Sequence, residues 1–343
     1  MGWNQAMIDN PVPGKSGCTY FSDTSTTGAY SVSTFTAPKK GVYLFQLSGS
    51  GGAAGNSPGG TGGATEGYLL LEKGETVCVS AGGPCSAAYV CKLPYEGYDV
   101  NNFITLAYVG NSYLYFVAGA GGAGGSYSNV HSKVSTAGGN GGGASGGNGN
   151  YYDPYGNGLI LYGGYGGSQS KAGAAGTPST GSGQNGTAGS AGNRNTGGAG
   201  ASVSKNGGYG YGGRGGDGFY GGGGGCALAS HNSGTGERTG WGIGGGGGSG
   251  YIGVGSVTVG NNTYTASSWQ GGGSGSGSNG YVIVYYWADV DIPVIFNGTQ
   301  LEKLIYNGVE IEHLIYNGAQ LFIERVKKFL NGVATPQYIK EGV

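Results

Sequence analysis

Ala118-Gly119-Ala120-Gly121-Gly122-Ala123-Gly124-Gly125 places glycine at 119, 122 and 125. The spacing returns at Gly183, Gly186, Gly189 and Gly192, and again at Gly207, Gly210, Gly213 and Gly216. A three-residue repeat is the pitch of an extended polyproline-II-type helix, whose inward edge approaches a neighbour only where it carries no side chain. Such a helix makes no internal hydrogen bonds, so its inward N–H and C=O groups need partners on adjacent segments. Ordering each glycine costs about 1–2 kcal/mol of backbone entropy with no side chain to offset it, so a lone glycine helix does not hold. The spacing therefore predicts a bundle of packed glycine helices over about residues 119–250.

The composition sets the alternatives. Glycine supplies 85 of 343 residues, a fraction usually read as low complexity. Collagen is excluded, because the repeat is not strict Gly-X-Y and only 10 residues are proline. Disorder fits poorly with 27 Tyr, 9 Phe and 4 Trp against 10% charged residues, since disordered chains are charge-rich and aromatic-poor. A net charge of −1 with scattered basic residues gives no footprint for nucleic acid. No apolar stretch is long enough to span a bilayer, and Met1-Gly2-Trp3-Asn4-Gln5 lacks the basic and apolar regions of a signal peptide. The expectation is synthesis in a cytoplasm and no membrane insertion. Five cysteines (Cys18, Cys78, Cys85, Cys91, Cys226) are odd in number, which suits reduced thiols better than a disulfide framework.

Outside the glycine tract the text reads as strands and turns. Residues 30–47 alternate apolar and polar, with a bend at Pro38 and Gly41. Residues 67–71 lead through Lys73-Gly74 into 76–79, and 102–109 and 112–118 flank Gly110-Asn111 as a hairpin. Further strands are expected at 158–162, 251–259, 262–269 and 281–286. The Ser/Asn-rich stretches 126–134 and 199–206 read as interruptions of the glycine tract. The predicted class is all-β: an extended segment over 1–29, then a jelly-roll-like β-sandwich over 30–287 carrying the inserted polyglycine-II bundle.

After Trp287 the pattern changes. Phe296-Asn297-Gly298, Tyr306-Asn307-Gly308 and Tyr316-Asn317-Gly318 recur at a period of ten, with Leu330-Asn331-Gly332 as a looser copy. Asn-Gly tolerates positive φ at both residues and is the strongest two-residue hairpin signal. Residues 309–316 alternate, so 288–343 reads as a β-meander for docking or oligomerisation. The charged run 324–328 either begins a short helix or ends the last strand.

Motifs that suggest chemistry lack their context. Gly119-Ala120-Gly121-Gly122-Ala123-Gly124 fits a dinucleotide fingerprint, but no helix follows. Gly14-Lys15-Ser16 lacks the first glycine of a phosphate loop, because Asp9 stands there. Gly143-Ala144-Ser145-Gly146-Gly147 resembles a nucleophile elbow without a nearby histidine or acid. His131, His231 and His313 show no metal-ligand spacing. Gly212-Gly213-Arg214-Gly215-Gly216-Asp217-Gly218-Phe219 matches one calcium β-roll unit, which needs tandem copies. No catalytic residue, metal or cofactor is expected. What remains is aromatic display by Tyr151, Tyr152, Tyr155, Tyr209, Tyr211, Phe219 and Tyr220. Such side chains combine apolar area with few rotors to freeze and suit ligand contact; they serve equally as caps of the glycine helices.

Taken in order, these segments resemble the glycine-rich domain of bacteriophage tail fibres and tail-tip adhesins. Thr34-Phe35-Thr36-Ala37-Pro38 and Gly41-Val42-Tyr43-Leu44-Phe45-Gln46-Leu47 are similar to its opening strands, Val117-Ala118-Gly119-Ala120-Gly121-Gly122 to its strand-to-glycine junctions, and Gly280-Tyr281-Val282-Ile283-Val284-Tyr285 to its closing strand. The Tyr-Asn-Gly repeats resemble those ending tail proteins of phages of Gram-positive bacteria. The resemblance implies a non-enzymatic virion protein, made in the bacterial host, that joins other virion proteins and binds a host-surface glycan or protein. It also implies a homo-oligomer, with a trimer favoured. A capsid head fibre or decoration protein, or a bacterial glycine-rich surface protein, is the alternative.

Overall fold

The computed structural model describes residues 18–22, 30–95, 98–99, 111–153, 160–180 and 184–289, with strand segments between 294 and 339. The chain divides into two compact units, Met1–Asp289 and Val290–Val343. It is all-β: among the described residues the one helical element is a single 3-10 turn, Asn111–Tyr113.

The first unit is founded on two five-stranded antiparallel sheets. One contains β1 (Cys18–Ser22), β3 (Gly41–Ser48), β4 (Ala64–Leu71), β18 (Ser267–Trp269) and β19 (Tyr281–Asp289), in the order β1-β19-β3-β4-β18. The other contains β2 (Tyr30–Thr36), β5 (Thr76–Gly82), β6 (Ala88–Lys92), β7 (Leu114–Ala118) and β15 (Tyr251–Ile252), in the order β15-β7-β6-β5-β2. Alternate residues of β2 to β7 and β19 meet in one core. Tyr43, Phe45, Leu47, Leu69, Val282 and Val284 come from the first sheet, and Phe35, Val77, Val79, Val90 and Phe116 from the second. Gly67 belongs to this fit, because a Cβ there would fall on the Phe116 ring.

Several expectations are corrected. The segment 1–29 contributes an edge strand, since Cys18–Ser22 pairs with β19 from Cys18↔Tyr285 to Ser22↔Tyr281. The strand expected over 102–109 and its turn at Gly110 lie outside the described residues; β7, the other strand of that expected hairpin, has β6 and β15 as neighbours. The strand expected over 251–259 is split into β15 and β16 (Ser256–Val259). β16 pairs with β17 (Asn262–Thr265) across Gly260, whose φ of 57° turns the chain. In the stretch 158–162, Leu161 makes only isolated bridges, to Tyr152 and Pro178.

β7 and β15 are hydrogen-bonded neighbours, Val117 opposite Tyr251, so the chain leaves the sheet after 118 and re-enters beside its point of exit. Between these strands the glycine-rich segments bond to one another at every third residue. Residues 242–249 form the axis. Their carbonyls at 242, 245 and 248 accept from the N–H groups of 136, 139 and 142; those at 243, 246 and 249 accept from 213, 216 and 219; those at 244 and 247 accept from 164 and 167. Their N–H groups donate to 226, 223 and 220, to 123 and 120, and to 147, all at 2.8–3.2 Å. The axis therefore has six neighbouring segments.

Glycine content follows depth. A Cβ at Gly244, Gly245, Gly246, Gly247 or Gly248 would fall on the carbonyl oxygen of Ala137, Arg214, Tyr165, Asn140 or Asp217, closer than real atoms approach. Three neighbours thus take three edges in turn, and no position from 244 to 248 tolerates a side chain. The other pentaglycine run, 221–225, is enclosed in the same way by Thr196, Gly246, Ala174, Ala199 and Ile243. At the periphery Gly163-Gly164 and Gly166-Gly167 alternate with exposed Tyr162 and Tyr165. In 172–176, where only Gly173 and Gly176 are enclosed, alanines fill the remaining places.

At the end of the glycine segments away from the large sheets the chain forms strands again. They are β8 (Ser126–Ser128), β9 (Ser132–Ser135), β10 (Gln184–Thr187), β11 (Ser202–Lys205), β12 (Gly208–Tyr211), β13 (Ala227–His231) and β14 (Arg238–Gly242). They make two small sheets, β10-β13-β14-β9 and β11-β12-β8. The stretches 126–134 and 199–206 are therefore strands of a cap, not breaks in the bundle. The two sheets meet backbone to backbone. A Cβ at Gly240 would strike the Tyr209 carbonyl, and one at Gly242 the carbonyls of Tyr211 and Ser126.

Cys78, Cys85, Cys91 and Cys226 are buried free thiols, with Cys78 and Cys91 opposite each other in the β5–β6 register. Burial pushes Cys78 and Cys226 up to about 12. At pH 8 these four thiols should resist an aromatic disulfide reagent until the chain is unfolded; prompt reaction in the native state would contradict this packing. The raised values also fix the alkaline behaviour. Below about pH 9 both states keep the thiols protonated, and above it only the unfolded state ionises. Stability should therefore fall by roughly 1.4 kcal/mol per pH unit per thiol between about 9 and 12.

In the second unit β20 (Val294–Phe296) pairs with β21 (Thr299–Leu301). β22 (Ile305–Tyr306), β23 (Val309–Asn317), β24 (Gln320–Leu330) and β25 (Val333–Ile339) form a four-stranded antiparallel sheet in that order. Asn297, Gly298, Asn307, Gly308 and Gly318 lie outside the described residues, but the strands flanking them pair at Phe296↔Thr299, Tyr306↔Val309 and Asn317↔Gln320. Asn317, expected in the third turn, lies in strand β23 opposite Gln320. The even alternation expected over 309–316 is interrupted by register shifts on both sides of His313. Residues 324–328 are strand, within β24.

Candidate functional site

The cap concentrates the display groups that the sequence offers. β12 reads Gly208-Tyr209-Gly210-Tyr211: its glycines face the neighbouring small sheet, so both tyrosines stand on the opposite, outer face. The two residues are 38% and 36% exposed, and their rings lie parallel, with centroids 6.1 Å apart and planes 4° from each other. The register surrounds them with hydroxyls, since Tyr209 lies between Ser204 and Ser128 and Tyr211 between Ser202 and Ser126. Ser126 Oγ donates to Asn56 Oδ1 at 2.6 Å, and Tyr127 N donates to the same oxygen at 2.7 Å, tying β8 to the first glycine loop. Two stacked rings edged by serines on a braced strand form a flat platform with apolar faces and a polar rim.

The other expected contact residues are not gathered there. Tyr151 is 68% exposed. Tyr152 packs its ring edge-on against Trp241 at 5.7 Å. Tyr155 lies outside the described residues. Phe219 is a correction: it is buried at the large-sheet end, stacked on Tyr251 at 4.2 Å with Tyr220 across it at 5.1 Å. It belongs to the cluster of Tyr89, Leu114 and Val117 and is core, not tip.

The periodic glycines divide similarly. Gly119, Gly122 and Gly125 pack on the axis at Gly248, Gly245 and Gly242; Gly189 and Gly192 pack on Gly224 and Gly221; Gly213 and Gly216 pack on Ala123 and Ala120. Gly183 lies outside the described residues, and Gly186 is in strand β10 against Pro178 and Thr180. Gly207 is a hairpin turn residue at φ 83°, following Asn206 at 48°, and Gly210 is in β12. The runs 183–192 and 207–216 are therefore each part strand and part bundle. In the second, Gly208 and Gly210 alternate with tyrosines at period two, which is the strand signal that the period of three masks.

The chemical lookalikes have structural partners. Asp217 is buried, and its Oδ1 accepts from Arg214 Nη2 at 2.6 Å and Gly197 N at 2.8 Å, while Oδ2 accepts from Tyr30 OH at 2.8 Å. Arg214 Nη1 also donates to the Cys85 carbonyl at 3.1 Å. Burial raises the Asp217 carboxyl above the usual range, against the pull of Arg214, the Gly197 N–H and Tyr30. This cluster ties a glycine segment to β2 and to the β5–β6 connection. Gly119 to Gly124 run on to Gly125 and strand β8, and Ser145 bridges Ser168. Among the described residues no three His, Cys, Asp or Glu side chains gather as metal ligands, and no helix is long and apolar enough to cross a membrane. A cavity of about 280 Å³ lined by Gln169, Tyr251, Ile252 and Ser268 falls below the usual size of a ligand pocket, about 300–1,000 Å³, and the Gln169 side chain is engaged by the Gly250 carbonyl on its wall.

No family model matches the chain, and a search of curated proteins finds no match. The functional reading therefore rests on the cap and on the residues that brace it.

Proposed function

We propose that this chain is a non-enzymatic bacteriophage virion protein, a tail-fibre or tail-tip adhesin whose cap binds carbohydrate on the host surface. The observation that carries the reading is the parallel Tyr209–Tyr211 pair, held on a strand at the far end of the glycine segments. In this reading the large sheets are a jelly-roll-like sandwich and the glycine segments are polyglycine-II helices. Support comes from hydrogen bonds to neighbours at every third residue and from six neighbours about 242–249. At about 3.1 Å per residue, those eight residues extend roughly 25 Å. The bundle is then a stiff spacer that carries the platform away from the sandwich. Val290–Val343 joins the chain to other virion proteins or to further copies, with a trimer as the proposed assembly.

Labelled protein should stain host cells and block phage adsorption. The Tyr209→Ala/Tyr211→Ala variant should lose about ten-fold in cell binding, because each ring supplies roughly 0.5–1.5 kcal/mol of stacking beyond its area. Both rings are on the outer face, so its melting should stay within a few degrees of wild type. Wild-type protein found in purified particles that neither stains cells nor blocks adsorption would sink the adhesin reading in favour of a decoration protein.

A further inference from the structure

Every side chain that the strand register places on the outer face of the platform is uncharged. Tyr209 lies opposite Ser204 and Ser128, and Tyr211 opposite Ser202 and Ser126, so these six side chains share one face. Ser128, Ser202 and Ser204 are exposed with the two tyrosines, while Ser126 Oγ is engaged by Asn56. The basic residues of the cap are on the other side. Lys205 is opposite Gly208 and Tyr127 opposite Gly210, which puts both on the glycine face, and Lys133 stands over the Tyr127 ring at 6.0 Å. A Cβ on Gly208 would come within 3.1 Å of Arg238 Cβ, so the Arg238 stem also lies on that side.

The outer face is repetitive as well as neutral. Each tyrosine has one serine on either side, about 4.8 Å away across the sheet. The row of Ser204, Tyr209 and Ser128 recurs two residues along the strand as Ser202, Tyr211 and Ser126, and the ring centroids, 6.1 Å apart, follow the same step. Three asparagines fasten this sheet to its surroundings. Asn56 Oδ1 accepts from Tyr127 N at 2.7 Å, Asn129 Nδ2 donates to the Gly207 carbonyl at 2.6 Å, and Asn185 Nδ2 donates to the Ser204 carbonyl at 3.3 Å. A ligand therefore meets a face that is already ordered, and binding does not have to fix loose chain.

We propose that this face binds an uncharged polysaccharide, with successive neutral sugar units over Tyr209 and Tyr211. The apolar C–H faces of the sugars stack on the rings. Their hydroxyls, each both donor and acceptor, meet serine hydroxyls of the same dual capacity on both flanks. A phosphate or carboxylate would lose water here without gaining a cation, which selects against charged polymers. A repeated surface suits a repeating ligand. The proposal rests on the adhesin reading and narrows it to neutral glycans.

The test immobilises dextran, mannan, galactan, poly(glycerol phosphate) and hyaluronate and measures binding of the full chain. The expected result is binding to at least one of the first three and to neither anionic polymer. Raising sodium chloride from 50 to 500 mM shortens the screening length from about 14 Å to about 4 Å, yet binding should change by less than about two-fold. The Ser128→Ala/Ser204→Ala variant should lose about five-fold. Its melting should be unchanged, because both serines are exposed. Host-cell staining covers sugars outside this set: it should vanish after mild periodate oxidation of the surface sugars and survive both protease and high salt. Preference for an anionic polymer, a loss of about ten-fold in high salt, or full binding by the serine variant would overturn the proposal. Host-cell staining that resists periodate or falls with salt would overturn the neutral glycan and leave the adhesin standing. Polymer binding without any cell staining would do the reverse.

Discussion

Gly246→Val should abolish folding or lower the melting temperature by at least about 10 °C. The Cβ alone would fall on the Tyr165 carbonyl, and the atoms at fault are backbone on both sides, so no rotamer change relieves the clash. A segment must move, and moving it breaks hydrogen bonds on a register in which the Gly246 N–H donates to Gly223 and its carbonyl accepts from Gly216. The cost should exceed about 4 kcal/mol, a large share of the roughly 5–15 kcal/mol that holds a domain folded. Gly255→Ala is the matched control. Nothing lies within 4 Å of its would-be Cβ and its φ is not in the left-handed region, so the change should stay within about 0.5 kcal/mol. Melting by circular dichroism separates the two, and an unaltered Gly246→Val would refute the enclosed axis.

Asp217→Ala should be the most damaging change to a charged residue, at about 3–5 kcal/mol. Burial already disfavours the carboxylate, so the loss lies less in net attraction than in the donors that lose their acceptor, Arg214 Nη2 and the Gly197 N–H, with Tyr30 OH losing one of its partners. A stranded buried donor costs about 1–3 kcal/mol. Replacing the pair, Arg214→Met with Asp217→Leu, should recover only part of this, because the Gly197 N–H still lacks the acceptor it has in Asp217 Oδ1. Lys40 and Glu72 form a comparably short ion pair at 2.7 Å, but both side chains are well exposed, and Glu72→Ala should cost at most about 1 kcal/mol. Denaturant titration of the three variants decides the order; equal costs for Asp217→Ala and Glu72→Ala would show that the buried cluster is not a tie.

Legibility differed between parts of the chain for identifiable reasons. Strands with large alternating side chains, such as Tyr43-Leu44-Phe45-Gln46-Leu47 and Tyr281-Val282-Ile283-Val284-Tyr285-Tyr286, declare their buried face in their own residues. The cap strands 126–128, 202–205 and 227–231 are short and built of Ser, Ala and single apolar residues, so periodicity has little to act on. Of the platform, Tyr209 and Tyr211 were legible as display groups, and their serine rim follows from a register that only pairing fixes. Phe219 stands among glycines as the display tyrosines do, whereas its ring completes a core with Tyr251, thirty-two positions away in the chain.

The sequence by itself determined an all-β chain, in which a glycine tract leaves one strand and returns to another and an Asn-Gly repeat follows. It also carries a record of depth: five consecutive glycines where three edges are covered, two in three where one edge is free. Tertiary structure alone decided which segments become neighbours and which glycines are turns or strands. A glycine has no side chain with which to specify a partner. The partners of each segment are therefore set by the sheets at its two ends, and those sheets are assembled from residues remote in sequence.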